Sequence, residues 1–102
     1  MDELNIEISD SRQITKEEVV HLYQANQWSS AQKPKALHSA LINSHRLITA
    51  RLDGKLIGLG NAISDGHLVV YYPHLLVHPD HQGKGIGALI LQALQEYQRT
   101  LL

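Results

Sequence analysis

The sequence predicts an α/β fold of the α+β kind, a mixed but mostly antiparallel sheet with helices in the order β-α-α-β-β-β-α. Three observations lead there. The hydrophobic pattern changes at Arg46, from helical spacing before it to strand-like runs after it. Asp53-Gly54 and Asp65-Gly66 separate those runs, and such dipeptides are strong signals for tight hairpins. A glycine-rich segment, Gln82 to Ala88, then leads from the last apolar run into an amphipathic stretch that reaches the C-terminus.

Each element has a local cause. Leu4 to Ile8 alternates apolar and polar residues, as a half-buried strand does. Thr15-Lys16-Glu17-Glu18 has the form of a capping box, with Thr15 at the N-cap and Glu18 three residues on. It opens a helix whose inner stripe is Val19, Leu22, Tyr23 and Asn26, and Trp28-Ser29-Ser30 ends it. Pro34 suits the first turn of a second helix, in which Leu37, Ala40 and Leu41 recur at helical spacing. Arg46 to Leu52, Lys55 to Ser64 and His67 to Val77 are β-rich and predict a three-strand meander. Ile86, Leu89, Ile90, Ala93, Leu94, Tyr97 and Leu101 form the stripe of the last helix, with Gln92, Gln95, Glu96 and Arg99 toward water.

The functional signal lies in Val77-His78-Pro79-Asp80-His81-Gln82-Gly83-Lys84-Gly85-Ile86-Gly87-Ala88. A strand that turns through a loop into a helix start gathers unpaired N–H groups at one point, and the helix dipole favours an anion there, usually a phosphate. Glycines at 83, 85 and 87 let such a guest approach the backbone, and they cost helix stability unless something requires them. A P-loop needs Lys-Ser/Thr directly after its last glycine. Gly87 is followed by Ala88-Leu89, which excludes that pattern. The dinucleotide fingerprint is formally met by Gly83, Gly85 and Ala88. However, His78 to Gln82 intervenes between strand and glycine, and the acidic residue expected about 20 positions later has no place before Leu102.

Composition narrows the classes further. The 102 residues make one domain, 1–102, with an aliphatic core, because Phe is absent and Trp28 is the only tryptophan. No 18-residue apolar run suggests a membrane span. Met1-Asp2-Glu3-Leu4-Asn5 lacks the basic and apolar regions of a secretory signal, so a cytoplasmic setting is expected. A net charge of −1 without a basic block argues against nucleic acid as partner. The absence of cysteine excludes disulfides and a thiolate nucleophile. The seven histidines are scattered; His78-x-x-His81 falls in a turn and no H-E-x-x-H occurs, so no metal site is expected.

Gln82-Gly83-Lys84-Gly85-Ile86-Gly87, preceded by Leu75-Leu76-Val77-His78-Pro79, resembles the Q/R-x-x-G-x-G/A signature of the GNAT superfamily of N-acyltransferases. The resemblance extends to the order of elements along essentially the whole chain. It implies an acyl-CoA N-acyltransferase-like sheet with helices on both faces and acetyl-CoA as cosubstrate. It also implies that main-chain groups of Leu75, Leu76 and Val77 pair with the pantetheine arm. Gln82, Gly83, Lys84, Gly85, Ile86, Gly87 and Ala88 then bind the pyrophosphate. Lys84 either adds a cationic contact or is a solvated loop lysine. The family's usual C-terminal β-α-β-β portion, with its tyrosine acid, is lacking. That implies a longer polypeptide, or a second chain supplying a strand in trans, and leaves room for a homo-oligomer.

Acetyl transfer to an amine requires a held thioester, an amine freed of its proton, and a stabilised thiolate. His74, in the last strand-like run, is the candidate general base, since its ordinary pKa suits proton abstraction near neutrality. Its plain alternative is a strand histidine satisfied by a neighbour. Tyr71 and Tyr72 face opposite ways, and Tyr72 is taken as the one lining the acceptor channel. Trp28 either shapes acceptor access or anchors helix to sheet. The expected function is acetyl-CoA-dependent N-acetylation of a primary amine on a small molecule or peptide. The alternative is a non-catalytic acyl-CoA-binding sensor.

Overall fold

A computed structural model describes residues 5–101. Strand β1 spans Ile6–Ser9; Leu4, the expected strand start, lies outside the described residues, as does Leu102. Helix α1 (Lys16–Ala25) opens with the expected capping box. The Glu18 N–H donates to Thr15 Oγ1 at 3.1 Å, and the Thr15 N–H donates to Glu18 Oε2 at 2.8 Å. Its inner face is Val19, Leu22 and Tyr23, while Asn26 is the half-buried C-cap. Gln27 takes φ +60°, a left-handed conformation that turns the chain out of the helix. A 3₁₀ turn at Ser29–Gln32 leads to α2 (Pro34–Ile42), which buries Leu37 and Leu41; Ala40 is exposed.

Strands β2 (Arg46–Leu52) and β3 (Lys55–Ser64) pair antiparallel across the Asp53-Gly54 turn. Asp53 and Gly54 both have positive φ, +51° and +82°, as the tight turn demands. β1 pairs antiparallel with β2. After Asp65-Gly66, the third β-rich run departs from expectation. It is two short strands, β4 (Val70–Tyr71) and β5 (Leu75–Val77), both antiparallel to β3. Ile63 faces Tyr71 and Gly60 faces Leu75, so Asn61 and Ala62 oppose Tyr72, Pro73 and His74. One extra residue breaks the ladder there. Pro73 has no N–H to give it. Every strand pair among the described residues is antiparallel.

Helix α3 (Ile86–Leu101) lies on one face of the sheet, while α1 and α2 cover the other. The strand period of two sorts the core, with its phase shifted in β3 by a bulge at Ile57, where Gly58 faces Ala50 and Leu56 faces Arg51. Leu47, Leu56, Leu59 and Leu76 pack with α1 and α2, whereas Ile48, Ile57, Ala62 and Val77 pack with Ile86, Ile90 and Leu94 of α3. Each such fully buried aliphatic side chain contributes about 1.5–3 kcal/mol. Leu89, expected on the inner stripe, is exposed instead. Two glycines let α3 approach β3: a Cβ on Gly60 would lie 2.8 Å from Ile90 Cγ2, and one on Gly58 3.1 Å from Ile90 Cδ1.

Arginines at 12, 46 and 51 tie neighbouring elements together. Arg51 on β2 grips Glu18 with both terminal nitrogens at 2.8 Å, tying the start of α1 down. That hydrogen bond is the main reason the Glu18 carboxyl sits below its ordinary pKa. Arg12 donates to the carbonyls of Ile42, Ser44 and His45 at 2.6–2.9 Å, satisfying the end of α2. Arg46 pairs with Asp10 at 2.7 Å and lies 4.5 Å over the Tyr97 ring of α3.

Candidate active site

The glycine loop follows β5 through a 3₁₀ turn, Pro79–His81, in which the Asp80 N–H donates to His78 Nδ1 at 3.1 Å. Gly83 and Gly85 have φ +81° and +82°. No atom lies within 4 Å of a Cβ built on either, so backbone conformation and not crowding calls for glycine. Ile86, Gly87 and Ala88 then begin α3, where the first N–H groups have no acceptor within the helix. The loop is pinned by Gln82, whose side-chain amide donates to the Val77 carbonyl at 2.9 Å and to Asn26 Oδ1 at 3.2 Å. Gln82 thus ties the loop to the end of β5 and the end of α1. Leu75, Val77, His81, Gln82, Gly83, Gly85, Ile86 and Gly87 line a cavity of about 320 Å³ along this path.

Where β4 and β5 part, Asn61 of β3 closes the gap. Its N–H donates to the His74 carbonyl at 3.1 Å, and its side-chain oxygen accepts the His74 N–H at 3.0 Å. The side-chain NH₂ donates in turn to Ser44 Oγ at 2.9 Å, and Ser44 Oγ donates to the Ala40 carbonyl. A buried side chain here replaces the ladder bonds lost to the extra residue.

The His74 side chain turns toward α1. Its Nδ1 lies 2.6 Å from the hydroxyl of Tyr23, and its ring meets Trp28 edge-on at 5.1 Å between centroids. Tyr23 and Trp28 also meet edge-on, at 5.4 Å. Burial holds the half-buried imidazole below its ordinary pKa and pushes the phenol of the fully buried Tyr23 well up. At neutral pH both rings are therefore uncharged.

The expected residues divide between two places. Leu75, Leu76, Val77, Gln82, Gly83, Lys84, Gly85, Ile86, Gly87 and Ala88 form one continuous path, and Lys84 is exposed with no ion pair among the described residues. His74 and Trp28 come together beside that path. Tyr72 does not join them. It turns to the opposite face of the sheet and packs against the α3 core, where its hydroxyl donates to Gln98 Oε1. Tyr71 is exposed. Sequence reasoning missed Tyr23 and Asn61 as site residues. Tyr23 showed as a member of the α1 stripe and, with Trp28, at the break between the first two helices, and no local signal joins it to a residue 51 positions away. Among the described residues, no group of three or more His, Cys, Asp or Glu side chains is arranged to hold a metal ion. No described helix is long and apolar enough to cross a membrane.

Comparison with known proteins bears on this geometry. A solved structure of a protein of unknown function from meticillin-resistant Staphylococcus aureus, described as a probable acetyltransferase, superposes with a TM-score of 0.85. It is 24% identical over 94% of this chain and 71% of its own. A GNAT-family acetyltransferase from Streptococcus pneumoniae superposes with a TM-score of 0.76, is 30% identical, and is covered over 66% of its length by 89% of this chain. The fold is shared with aminoglycoside N-acetyltransferase AAC(6')-Iy, solved in complex with CoA, at a TM-score of 0.73 and 16% identity over 97% of this chain and 72% of that one. No curated protein sequence matches. The model of the family described as Acetyltransferase (GNAT) matches residues 10–101. That match runs from just after β1 to the end of α3, and by it the chain belongs to the acetyltransferase (GNAT) family.

Proposed function

We propose that the domain is an acetyl-CoA-dependent N-acetyltransferase acting on a primary amine of a small molecule or peptide. The observation that carries this reading is the join between β5 and α3. Left-handed glycines at 83 and 85 open onto a helix start, directly beyond a strand whose far edge has no partner among the described residues. The residues present fit an elongated ligand with a phosphate at one end and amides along its arm. Main-chain N–H groups from Gly83 to Ala88 would hold the pyrophosphate, and the open edge of Leu75, Leu76 and Val77 would receive the arm as an added strand. Lys84 stands beside the anion site as an exposed cation.

Acetyl-CoA would supply an activated acetyl group: the amine nitrogen bonds the acetyl carbon as the carbon–sulfur bond breaks, the sulfur leaves with CoA as a thiolate, and the proton lost by the nitrogen balances that thiolate, giving the CoA thiol. The chain's own part is to hold the reactants in register and to present His74, packed against Trp28, at the reacting end. The acceptor enters on the side of Trp28 and the His74 ring, and Tyr72, across the sheet, serves packing.

Thermal melting in the presence of nucleotides tests the assignment. Acetyl-CoA at about 100 times its Kd contributes about 2.7 kcal/mol, a rise on the order of 10 °C for a domain of this size. NAD and ATP at equal concentration give much smaller rises. Gly85→Asp places a negative side chain in the anion site and a strained residue at φ +82°, and it removes the acetyl-CoA rise. Equal rises with NAD and acetyl-CoA, or an unaffected variant, contradict the proposal.

A further inference from the structure

We infer that Tyr23 is a positioning residue that fixes the proton of neutral His74 on Nε2, so that the imidazole meets the reacting atoms as an N–H donor and not as a base. This rests on the transferase reading above for its catalytic meaning, but the tautomer itself rests on hydrogen bonding alone. Tyr23 is wholly buried, and its hydroxyl has one polar partner among the described residues, His74 Nδ1 at 2.6 Å. A buried phenol whose O–H finds no acceptor costs about 1–3 kcal/mol, so the hydroxyl donates and Nδ1 accepts. The single proton of a neutral imidazole then sits on Nε2.

Taking up a second proton works against the surroundings twice. Nδ1–H would point at the Tyr23 oxygen, and the phenol proton would lose its acceptor. The new charge would also be half-buried against the Tyr23 and Trp28 rings, with Asn61 occupied by the His74 main chain. No carboxylate pairs with His74 among the described residues. A base that must end as an imidazolium is poorly served here. A neutral ring whose N–H direction is set by Tyr23, and whose backbone is clamped from both sides by Asn61, is well served as a donor toward developing negative charge. The sequence-based expectation of a general base and this donor role place the same residue at the site but require opposite tautomers.

Nitrogen NMR of the full chain, with and without CoA, reads the tautomer without any turnover. His74 shows a protonated Nε2 and an acceptor-type Nδ1, and its titration midpoint lies below 6.5. Tyr23→Phe removes one oxygen and no carbon; it should relax the tautomer toward a mixture, while burial keeps the midpoint below 6.5. A protonated Nδ1 in the wild type, or a Tyr23→Phe variant with unchanged tautomer, overturns the assignment. Acetylation of an amine panel then reads the use. His74→Gln keeps an N–H donor but cannot act as a base, and it retains activity within about tenfold, while His74→Ala loses about 10²-fold. Equal losses for Gln and Ala, with disappearance of the acidic limb of the pH profile, overturn the donor role. A wild type that binds CoA but acetylates no amine overturns the transferase reading, and with it the donor's catalytic use, while the NMR result stands separately.

Discussion

Replacing Gly60 by alanine tests how closely the helix that opens the anion site is seated. The added Cβ meets Ile90 Cγ2 at 2.8 Å, Leu94 Cδ1 at 3.1 Å and Leu75 Cδ1 at 3.2 Å, all inside the 3.5–4.0 Å at which carbon atoms attract. The two leucine methyls end flexible side chains and can swing aside. Ile90 Cγ2 is attached to a branched Cβ whose χ1 is stiff in a helix, so relief there requires α3 to move away from β3. One buried methyl gains about 0.8 kcal/mol of transfer free energy. A stiffer unfolded chain adds about 0.4–1 kcal/mol. Overpacking costs about 1–3 kcal/mol, and a contact this short at an unyielding atom belongs near the top of that range. The net expectation is a loss of about 1 kcal/mol and a melting temperature about 4–8 °C lower by circular dichroism. Ile90→Leu moves the branch point outward, so the double variant should be destabilised by less than the sum of the two, with a coupling of about 0.5 kcal/mol or more. A Gly60→Ala protein that melts at or above the parent temperature, or strict additivity with Ile90→Leu, would refute the packing argument.

Two further expectations concern acid. The Glu18 carboxyl is held below its ordinary value of 4.5, first by its hydrogen bond to Arg51, so its stabilisation is complete above that value and is lost as pH falls through the folded-state pKa. Glu18→Gln should therefore cost about 1 kcal/mol at pH 7, with the gap in melting temperature closing below pH 4.5; a gap that persists unchanged to pH 3 contradicts the ion pair's role. His74 is held below its ordinary 6.5 by burial, and as a group kept neutral it contributes stability that is whole above 6.5 and fades as pH falls through its folded-state value. The parent should lose melting temperature more steeply than His74→Gln between pH 6.5 and 5, and parallel curves would contradict that.

The elements that sequence pattern announces are those fixed by neighbours in the chain. The Thr15 capping box, the Asp53-Gly54 turn and the glycines at 83 and 85 each act within a few residues, and each stands where the sequence placed it. The cofactor path was legible for the same reason, since Leu75 to Ala88 is one continuous stretch. The break between β4 and β5 was not. His67 to Val77 reads as one apolar run, and what interrupts it is Asn61, from the neighbouring strand, together with Pro73. Tyr72 shows the same limit: alternation predicts that Tyr71 and Tyr72 face apart, but the extra residue after them decides which face meets α3. Leu89 fits a helical stripe on paper, yet Ile86, Ile90 and Leu94 fill the contact with β2, β3 and β5, and Leu89 is left exposed. The Tyr23–His74 bond joins residues 51 positions apart, half the length of the chain, and no spacing rule reaches so far.

Arg12 gives the wall that carries Tyr23 a mechanical character. Its guanidinium spans the carbonyls of Ile42, Ser44 and His45, so the segment entering α1 is stitched to the segment leaving α2. Ser44 is also the partner of Asn61, which clamps His74. Opening the α1–α2 layer therefore strains, in one movement, the stitch at Arg12, the Ser44–Asn61 bond and the clamp on the His74 backbone. Hydrogen exchange would register these amides as a single cooperative unit, opening together and more rarely than the exposed turn at Asp65 and Gly66. The Tyr23–His74 bond thus closes a layer whose other ties run through Arg12, Ser44 and Asn61.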